Sequence, residues 1–399
     1  MDVSEIMVYV MSFISLFVSI FWFLIYFSNS DKRRTISALP PMTIMVPAYN
    51  EEKTIKACLM SLLKQNYHGL KIIVIDDGST DKTGAVVQAL AKQYHNIRYL
   101  KKKQAGKAAA LNYGLQYIDT ELCGFVDSDT YLSRGALRNM ITYLHDNVVS
   151  VTICIKPVKT KSLIQKLQRV ECMIASFTRK LMSYVNAIYY TPGFAIYRTE
   201  ILKKVGGFDE HNLTEDLEIG LRLKDKGYDI ENTIEAYAYT EVPSTFSELF
   251  EQRMRWYRGF IYNSRKYRHM FFNRNFGDMG LLVLPMQYIL LAVIMPFILY
   301  GMYTSVISIA NYVVDAYLVG FDVKYIIASS NFYLITPTTF FIVAVLAAFL
   351  FMLGISQKKT EEKINLRTYV AYIILYPFIN TILWLSALSQ EITKAKKKW

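Results

Sequence analysis

The sequence has 399 residues, of which 53% are hydrophobic, and it carries a formal net charge of +12. This hydrophobic fraction lies above the usual range of soluble domains, so the composition excludes a wholly soluble protein, and the length allows one substantial domain beside it. The positive charge suits an anionic membrane surface or an anionic substrate. No aromatic-basic recognition motif is present, so no nucleic-acid partner is predicted.

Four segments contain no charged residue and are long enough to cross a hydrocarbon core. They are residues 6–27, 281–314, 326–357 and 368–390. The sequence therefore predicts an integral membrane protein. We expect an N-terminal transmembrane helix within residues 1–30, a C-terminal transmembrane region of about three helices over 276–390, and a basic tail over 391–399.

The first apolar segment differs from a cleavable signal peptide. Acidic Asp2 and Glu5 precede it, and no small-residue cleavage site follows, so a retained anchor is predicted. Basic residues 32–34 come directly after it, which by the positive-inside rule places the next domain in the cytoplasm, at the cell membrane. The lysines of the tail disagree with four simple crossings, so the side of the C-terminus stays open.

Between the anchor and the later apolar segments, short apolar runs alternate with helical patterns. The runs cover residues 42–46, 71–75, 97–100 and 122–126. This alternation predicts that the four runs form a parallel sheet, within a Rossmann-like α/β domain over residues 31–240. Polar clusters at 47–51, 76–80 and 127–129 follow three of the runs. Because ligands of such sheets bind beyond the carboxyl ends of the strands, the clusters predict one shared site.

Two stretches place apolar side chains at helical spacing amid lysine and arginine. They cover residues 162–185 and 241–275. Basic amphipathic helices of this kind can lie in a membrane interface. For the first helix, packing on the domain core is an equally good interpretation. For the second, its position just before an apolar segment favours the interface.

Asp127 and Asp129 flank one residue at a strand end. In an extended segment their side chains point the same way, so the two carboxylates can bind one hard cation. The structural alternative is a turn or a helix cap. The other strand-end clusters favour the cation site, and a cation there would neutralise a diphosphate.

Further candidates have both structural and chemical interpretations. Gly106 and Lys107 open a helix and could hold phosphate. Residues 214–216 precede a helix, where a capping cluster is the simpler interpretation, although transfer to a hydroxyl needs a carboxylate to take its proton. Residues 252–256 combine an amide, an arginine and a tryptophan on one helical turn, which suits an interfacial helix or a site for diphosphate and sugar.

The motifs at 47–51, 76–79, 106–107, 127–129, 214–216 and 252–256 resemble, in order and spacing, those of the family 2 glycosyltransferases. The last motif and the apolar segments behind it resemble the hyaluronan, chitin and cellulose synthase branch. The resemblance implies a GT-A fold, a nucleotide-sugar-binding Rossmann-like domain, and inversion at the anomeric carbon of the donor.

The resemblance also implies roles for individual residues. Asp216 would be the general base, and Asp127 with Asp129 would bind Mg²⁺ or Mn²⁺. Binding of the nucleotide sugar would fall to Ala48, Tyr49, Glu51, Asp77, Lys107, Asp127 and Ser128. The acceptor and the diphosphate would be contacted by Gly193 in the loop 191–194, Glu215, Gln252, Arg255 and Trp256.

The predicted function is therefore metal-dependent transfer from a nucleotide-diphosphate sugar, with a UDP-sugar favoured, to a hydroxyl of a growing polysaccharide or a membrane-presented acceptor. The chain has fewer apolar segments than synthases of this branch usually carry, and no match to the gating loop of cellulose synthases. Single addition to a polyprenyl-phosphate or glycolipid acceptor is thus an alternative. A nucleotide-sensing transporter or anchor is a third, although the apolar segments lack the mid-membrane ionisable residues of a transporter.

Overall fold

The computed structural model describes residues 3–36, 38–145, 147–318 and 337–394. Its central element is one eight-stranded sheet with the order β3-β2-β1-β4-β7-β6-β8-β5. The first four strands in sequence are β1 (Met42–Ala48), β2 (Leu70–Asp76), β3 (Ile97–Lys101) and β4 (Leu122–Val126). They pair in parallel, with Ala48 opposite Asp76, so the polar clusters after β1 and β2 meet at one edge.

Three helices make the crossovers between these parallel strands. They are α2 (Ile55–Leu63), α3 (Thr83–Gln93) and α4 (Lys107–Leu115). All seven residues of β1 are buried, as expected for a strand that is covered on both faces. The predicted Rossmann-like α/β core is confirmed in this half of the sheet.

The second half of the sheet is mixed. Its strands are β5 (Tyr131–Leu132), β6 (Val148–Pro157), β7 (Phe194–Arg198) and β8 (Asp229–Thr240). β7 runs antiparallel to both β4 and β6, while β6 pairs in parallel with β8, and β5 pairs antiparallel with β8. The pairings among β1 to β4 are thus all parallel as predicted, whereas the second half combines antiparallel pairings with the parallel pair of β6 and β8. The short helices α5 (Ala136–Ile141), α7 (Thr199–Lys204) and α8 (Glu215–Asp225) belong to this second half.

Two long amphipathic helices are present, α6 (Leu163–Tyr184) and α9 (Phe246–Lys266). The first matches its predicted stretch closely, whereas the second is shorter than the predicted 241–275. Ser162 and Gln165 form a capping box that starts α6. Val170 of α6 forms a buried cluster with residues of the later apolar helices, and Phe177 of α6 clusters with the N-terminal helix. Met254 of α9 forms a buried cluster with residues of the last apolar helix. The helix α6 therefore lies between the sheet and the apolar helices, and α9 packs between α8 and the last apolar helix.

The apolar helices are α1 (Val3–Ser28), α10 (Leu284–Leu318), α11 (Pro337–Thr360) and α12 (Leu366–Ile392). Four helices of the described residues are long and apolar enough to cross a membrane, by length and composition. A short π-helix, Met279–Val283, runs directly into α10 just before Pro285, and α10 continues past Pro296. Residues 326–336 of the third predicted segment and 395–399 of the tail lie outside the described residues.

Gly220 of α8 is packed too tightly for any side chain. A Cβ atom there would lie 2.4 Å from the carbonyl oxygen of Tyr189 and 2.6 Å from Cα of Tyr190. We predict that Gly220→Ala destabilises the protein by about 1–3 kcal/mol through this backbone clash. Gly354→Ala is the control, because nothing lies within 4 Å of the Cβ position in that helix. Thermal unfolding in detergent should show a lower midpoint for Gly220→Ala alone; equal midpoints would refute the packing described here.

Candidate active site

The polar clusters after β1 and β2 are hydrogen-bonded to each other. Asn50, in the left-handed region at φ 56°, accepts from the Thr80 backbone N–H at 2.9 Å, and its own N–H donates to Ser79 Oγ at 3.0 Å. The backbone N–H of Glu51 donates to Thr83 Oγ1 at 2.7 Å. These bonds hold the loops after β1 and β2 together at the carboxyl edge of the sheet. Buried Ala48 ends β1 there, and Tyr49 beside it is 43% exposed.

Asp77 fixes the loop that leads into α4. Its carboxylate accepts from Lys102 Nζ at 2.8 Å and from the backbone N–H groups of Ala105 at 3.0 Å and Gly106 at 2.7 Å. Only 5% of Asp77 is exposed. The residue therefore positions the start of α4 and the side chain of Lys107. Its contact with a nucleoside stays a prediction.

Lys107 contacts carboxylates from both halves of the domain. Its Nζ lies 2.6 Å from Asp127 Oδ1, at the end of β4, and 3.0 Å from Glu215 Oε1, at the start of α8. Burial alone would lower the pKa of the Lys107 ammonium, but the two carboxylates outweigh it and raise that pKa well above its ordinary value. Lys107 is therefore charged at neutral pH and joins the two acidic motifs.

Asp127 and Asp129 lie together at the end of β4, with buried Ser128 between them. Burial raises the pKa of the Asp129 carboxyl to about 6, and the charge of Asp127 adds to the shift. The pair offers the hard oxygen ligands that Mg²⁺ and Mn²⁺ prefer. Within the described ranges, no group of three or more His, Cys, Asp or Glu side chains could hold a metal ion. A cation at this pair would therefore need further ligands from a diphosphate or water.

Asp216 is held against the loop that contains Gly193. Its backbone carbonyl accepts from the N–H of Thr191 at 3.1 Å and from the Thr191 hydroxyl at 3.0 Å. Gly193 has φ 71°, which favours glycine, and a Cβ there would lie 3.0 Å from Ile155 Cδ1. This loop and the first turn of α8 thus form one fixed wall of the site.

The neighbouring carboxyl groups of Asp216 and Glu215 have opposite pKa shifts. Burial raises the pKa of Asp216 to about 6, and the adjacent Glu215 charge adds to the shift. Burial would also raise the pKa of Glu215, but the Lys107 ammonium outweighs it and holds that pKa below its ordinary value. A carboxylate with a pKa near the working pH is suited to accept a proton.

A cavity of about 310 Å³ opens beside Asp216. Its walls come from α6, the loop 189–192, α9, α10 and α12, and they include Trp256. Gln252 and Arg255 do not line it. Gln252 accepts from Arg253 Nη1 at 3.1 Å, and Arg255 is exposed, although its charge acts on Asp216. Of the three residues of α9 that were predicted to contact the acceptor or the diphosphate, Trp256 lines the cavity, whereas Gln252 and Arg255 lie outside it.

Two arginines of this cavity were not singled out from the sequence. Arg253, buried in α9, forms an ion pair with Glu171 of α6, and its Cζ lies 4.0 Å from the centre of the Trp256 ring. Arg179, buried in α6, also lines the cavity. Both belong to basic amphipathic stretches, whose pattern indicated an interface and gave no signal that these cations are buried.

Comparison with known proteins adds independent information. A family model described as glycosyl transferase family 2 matches residues 43–206, and one described as glycosyl transferase family group 2 matches residues 125–385. The poly-beta-1,6-N-acetyl-D-glucosamine synthase of Staphylococcus epidermidis is 29% identical over 263 residues, and that of Staphylococcus aureus strain COL is 27% identical over 262. Each match covers 62% of this chain and 64% of the relative, which is less than two thirds of its length.

Among solved structures, the mannosyltransferase PcManGT from Pyrobaculum calidifontis, in complex with GDP-Man and Mn²⁺, is similar along 99% of this chain and 100% of that one. The TM-score is 0.65 and the sequence identity 17%. The likeness therefore concerns the fold. It confirms the predicted GT-A fold with helices behind it.

The hydrogen bonds that Asp77 accepts from Lys102, Ala105 and Gly106, here called the Asp77 clamp, generate a prediction about the order of the loop before α4. Asp77→Ala removes the acceptor for the Ala105 and Gly106 amides, and a hydrogen bond to a charged group stabilises by about 1.5–3 kcal/mol. We expect the amides of that loop to exchange hydrogen at least about tenfold faster, as measured by mass spectrometry. Asp119→Ala, which removes an exposed ion pair with Lys71, is the control. Unchanged exchange in Asp77→Ala would show that the clamp does not order the loop.

Proposed function

The chain belongs to glycosyl transferase family 2, and from this premise we propose that it transfers a sugar from a nucleotide-diphosphate sugar to a hydroxyl of a growing polysaccharide or another membrane-presented acceptor. The observation that carries the proposal is the bridge of Lys107 between Asp127 and Glu215, which sets the strand-end carboxylates beside Asp216. A UDP-sugar is the favoured donor. The activity named for the staphylococcal relatives suggests N-acetylglucosamine as its sugar.

The proposed reaction is a direct displacement that inverts the anomeric carbon. Asp216 takes the proton of the acceptor hydroxyl, whose oxygen bonds to the anomeric carbon as the bond to the diphosphate oxygen breaks on the opposite side. Asp127 and Asp129 would hold Mg²⁺ or Mn²⁺, which supplies charge neutralisation to the departing diphosphate. Lys107 contributes a fixed positive charge at the same place. The Mn²⁺ and GDP-Man of the similar mannosyltransferase support this assignment.

The acceptor is proposed to approach from the membrane side. The cavity beside Asp216 is walled by α6 and α9 and reaches Gln287 of α10 and Trp384 of α12. Basic residues 32–34 directly after α1 support a cytoplasmic position for the catalytic domain at the cell membrane. Donor and acceptor would then enter from different directions and meet at Asp216.

A second candidate, single addition to a lipid-linked acceptor, is favoured by one observation. A further cavity of about 460 Å³ lies between α10, α11 and α12 and shares Gln287 and Trp384 with the first. The length of the product distinguishes the two candidates. A ladder of oligomers supports the synthase, whereas one glycolipid band supports single addition.

The proposal is tested by incubating the purified chain in lipid with a panel of UDP- and GDP-sugars and with Mg²⁺ or Mn²⁺. Release of the nucleoside diphosphate identifies the donor, and a labelled sugar in the lipid or polymer fraction identifies the acceptor. Nucleotide binding without release from any donor would contradict a transferase and support a nucleotide-sensing protein.

Asp216→Asn isolates the proposed base. The amide oxygen can still accept from the Leu217 N–H, which now donates to Asp216 Oδ1 at 2.8 Å, so the fold should survive. We expect transfer to fall by about 10²–10⁴-fold with loss of the proton acceptor, and nucleoside-diphosphate affinity to change little. Asp119→Asn, at an exposed carboxylate, should leave both quantities unchanged. Normal turnover of Asp216→Asn would show that another group is the base.

The pKa of Asp216 sets an expected pH dependence. Protonation below about pH 6 removes the base, so kcat should fall about tenfold per pH unit below that value, at saturating donor and cation. Glu215→Gln removes a negative charge that helps to raise the Asp216 pKa, so the inflection should move to lower pH. Rates measured from pH 4.5 to 8 test this. An inflection unmoved by Glu215→Gln would assign it to a different group.

A further inference from the structure

Arg179 of α6 is a buried cation that the proposed mechanism does not use. Only 3% of the residue is exposed. Its Nη2 donates to Ser176 Oγ at 3.0 Å and more weakly to the Ile153 carbonyl at 3.4 Å. Its Nε has no hydrogen-bond partner among the described residues, and no ion pair within those residues includes Arg179. The Arg179 guanidinium is therefore a buried positive charge without a counter-charge among the described residues.

Neighbouring buried cations are paired. Lys180, the next residue, lies 2.6 Å from Asp31 Oδ1, and Arg253 across the cavity pairs with Glu171. A buried charge without a partner is strongly unfavourable, because desolvation is not offset by attraction to a counter-charge. The unpaired Arg179 thus indicates that a ligand supplies the missing anion.

Arg179 lies close to the proposed base, Asp216. Arg179 lines the same 310 Å³ cavity as Asp216 and Trp256. Its Cζ lies 5.7 Å from the ring centre of Tyr190, which precedes the threonine that holds the Asp216 carbonyl. An anion bound by Arg179 would therefore belong to a molecule seated against the proposed base. In the proposed mechanism the donor diphosphate lies instead beside Lys107 and Asp127, which do not line this cavity.

The cavity also leads towards the apolar helices. Through Gln287 and Trp384 it adjoins the 460 Å³ cavity, which follows α10 from Gln287 to Ile298. At 1.5 Å per residue this is about 16 Å, roughly half of a hydrocarbon core. Leucine, isoleucine and methionine supply five of the six α10 residues that line this cavity, whereas the α12 side carries two tyrosines, Asn380, Thr381 and Trp384. The α10 side suits a hydrocarbon chain, since its apolar wall offers a sugar chain few hydrogen-bond partners.

We propose that the acceptor is a sugar linked through phosphate to a membrane lipid, with its phosphate on Arg179 and its hydrocarbon chain between α10 and α12. This inference rests on the proposed function and specifies the acceptor of that same site. The sugar hydroxyl bonds to the anomeric carbon of the donor and gives its proton to Asp216. The nucleoside diphosphate leaves with the electrons of the broken bond.

Binding of lipid probes without any donor tests the proposal. The full chain, in lipid nanodiscs, is titrated with farnesyl phosphate, farnesol, inorganic phosphate and glucuronate, with the fluorescence of Trp256 and Trp384 as the signal. We expect the wild type to bind farnesyl phosphate at least about tenfold more tightly than farnesol, because the phosphate meets a buried cation. Arg179→Met should reduce this preference below about threefold, while Arg179→Lys keeps most of it. Lys166→Met, an exposed cation of the same helix, is the matched control and should leave it unchanged.

Several results would overturn the assignment. Equal binding of farnesol and farnesyl phosphate by the wild type does so without reliance on any variant. So does an undiminished phosphate preference in a folded Arg179→Met protein. Binding of inorganic phosphate or glucuronate as tight as that of farnesyl phosphate would assign the site to a free anion or an acidic glycan. Since no donor is present, these failures leave the proposed sugar transfer standing; that proposal fails separately if no donor releases its nucleoside diphosphate.

Discussion

One ammonium group holds the two acidic motifs of the site together. Lys107 offsets the mutual repulsion of the carboxylates of Asp127, Glu215 and Asp216 at the junction between the parallel and mixed halves of the sheet, and the charge of Arg255 also acts on the last two. The position of that ammonium depends in turn on Asp77, which fixes the loop before α4. A chain of charges thus runs from the edge of β2 to the start of α8. The strand-end cluster and the proposed base are parts of one electrostatic unit.

The membrane-side wall of the site is fixed by both packing and charge. Arg253 pairs with Glu171 between α9 and α6, and Arg258 Nε lies 2.8 Å from Glu391 Oε1 at the end of α12. Tyr257 stacks on Trp384 with ring centres 4.1 Å apart. Breaking a buried ion pair of this kind costs about 3–5 kcal/mol. The apolar helices are therefore held in a defined position against the catalytic domain. The cavity between these helices and the domain is formed by the fold itself.

Much of this arrangement could be predicted from local patterns in the sequence. The strands β1 to β4, the helices between them and the strand-end clusters follow from hydrophobic periodicity and from the position of polar residues after each strand. The first amphipathic helix was predicted to within one residue at each end, whereas the second begins five residues later and ends nine residues earlier than predicted, because its apolar and basic pattern continues into the following turns. The antiparallel insertion of β7 between β4 and β6 could not be predicted, because such pairings join distant segments and leave no local signal.

The residues of the site also fall into two groups: those that a local sequence pattern indicates, and those whose contacts come from distant segments of the chain. Asp127 and Asp129 could be chosen because they follow a recognisable strand, whereas Asp216 was chosen through the resemblance to family 2 glycosyltransferases, since its position near a helix start alone favours a cap. The clamp from Asp77 to residues 105 and 106 spans a stretch of sequence with no pattern that indicates it. The burial of Arg179 depends on the loop 189–192 and on α12, which cover α6 only in the folded protein. A basic residue beside an apolar stripe looks the same in sequence whether it faces water or a cavity.

The account depends most on the coupling of the two acidic motifs through Lys107. A double-mutant cycle of Lys107→Met and Glu215→Gln, read as kcat/KM for sugar transfer, measures this coupling directly. We expect the two changes to be non-additive by about 1–3 kcal/mol, because either one removes the same ion pair. A parallel cycle of Glu215→Gln with Lys103→Met, at an exposed lysine, should be additive. Additive effects in the Lys107 cycle would contradict the account, since the strand-end carboxylates and the proposed base would then act as independent sites.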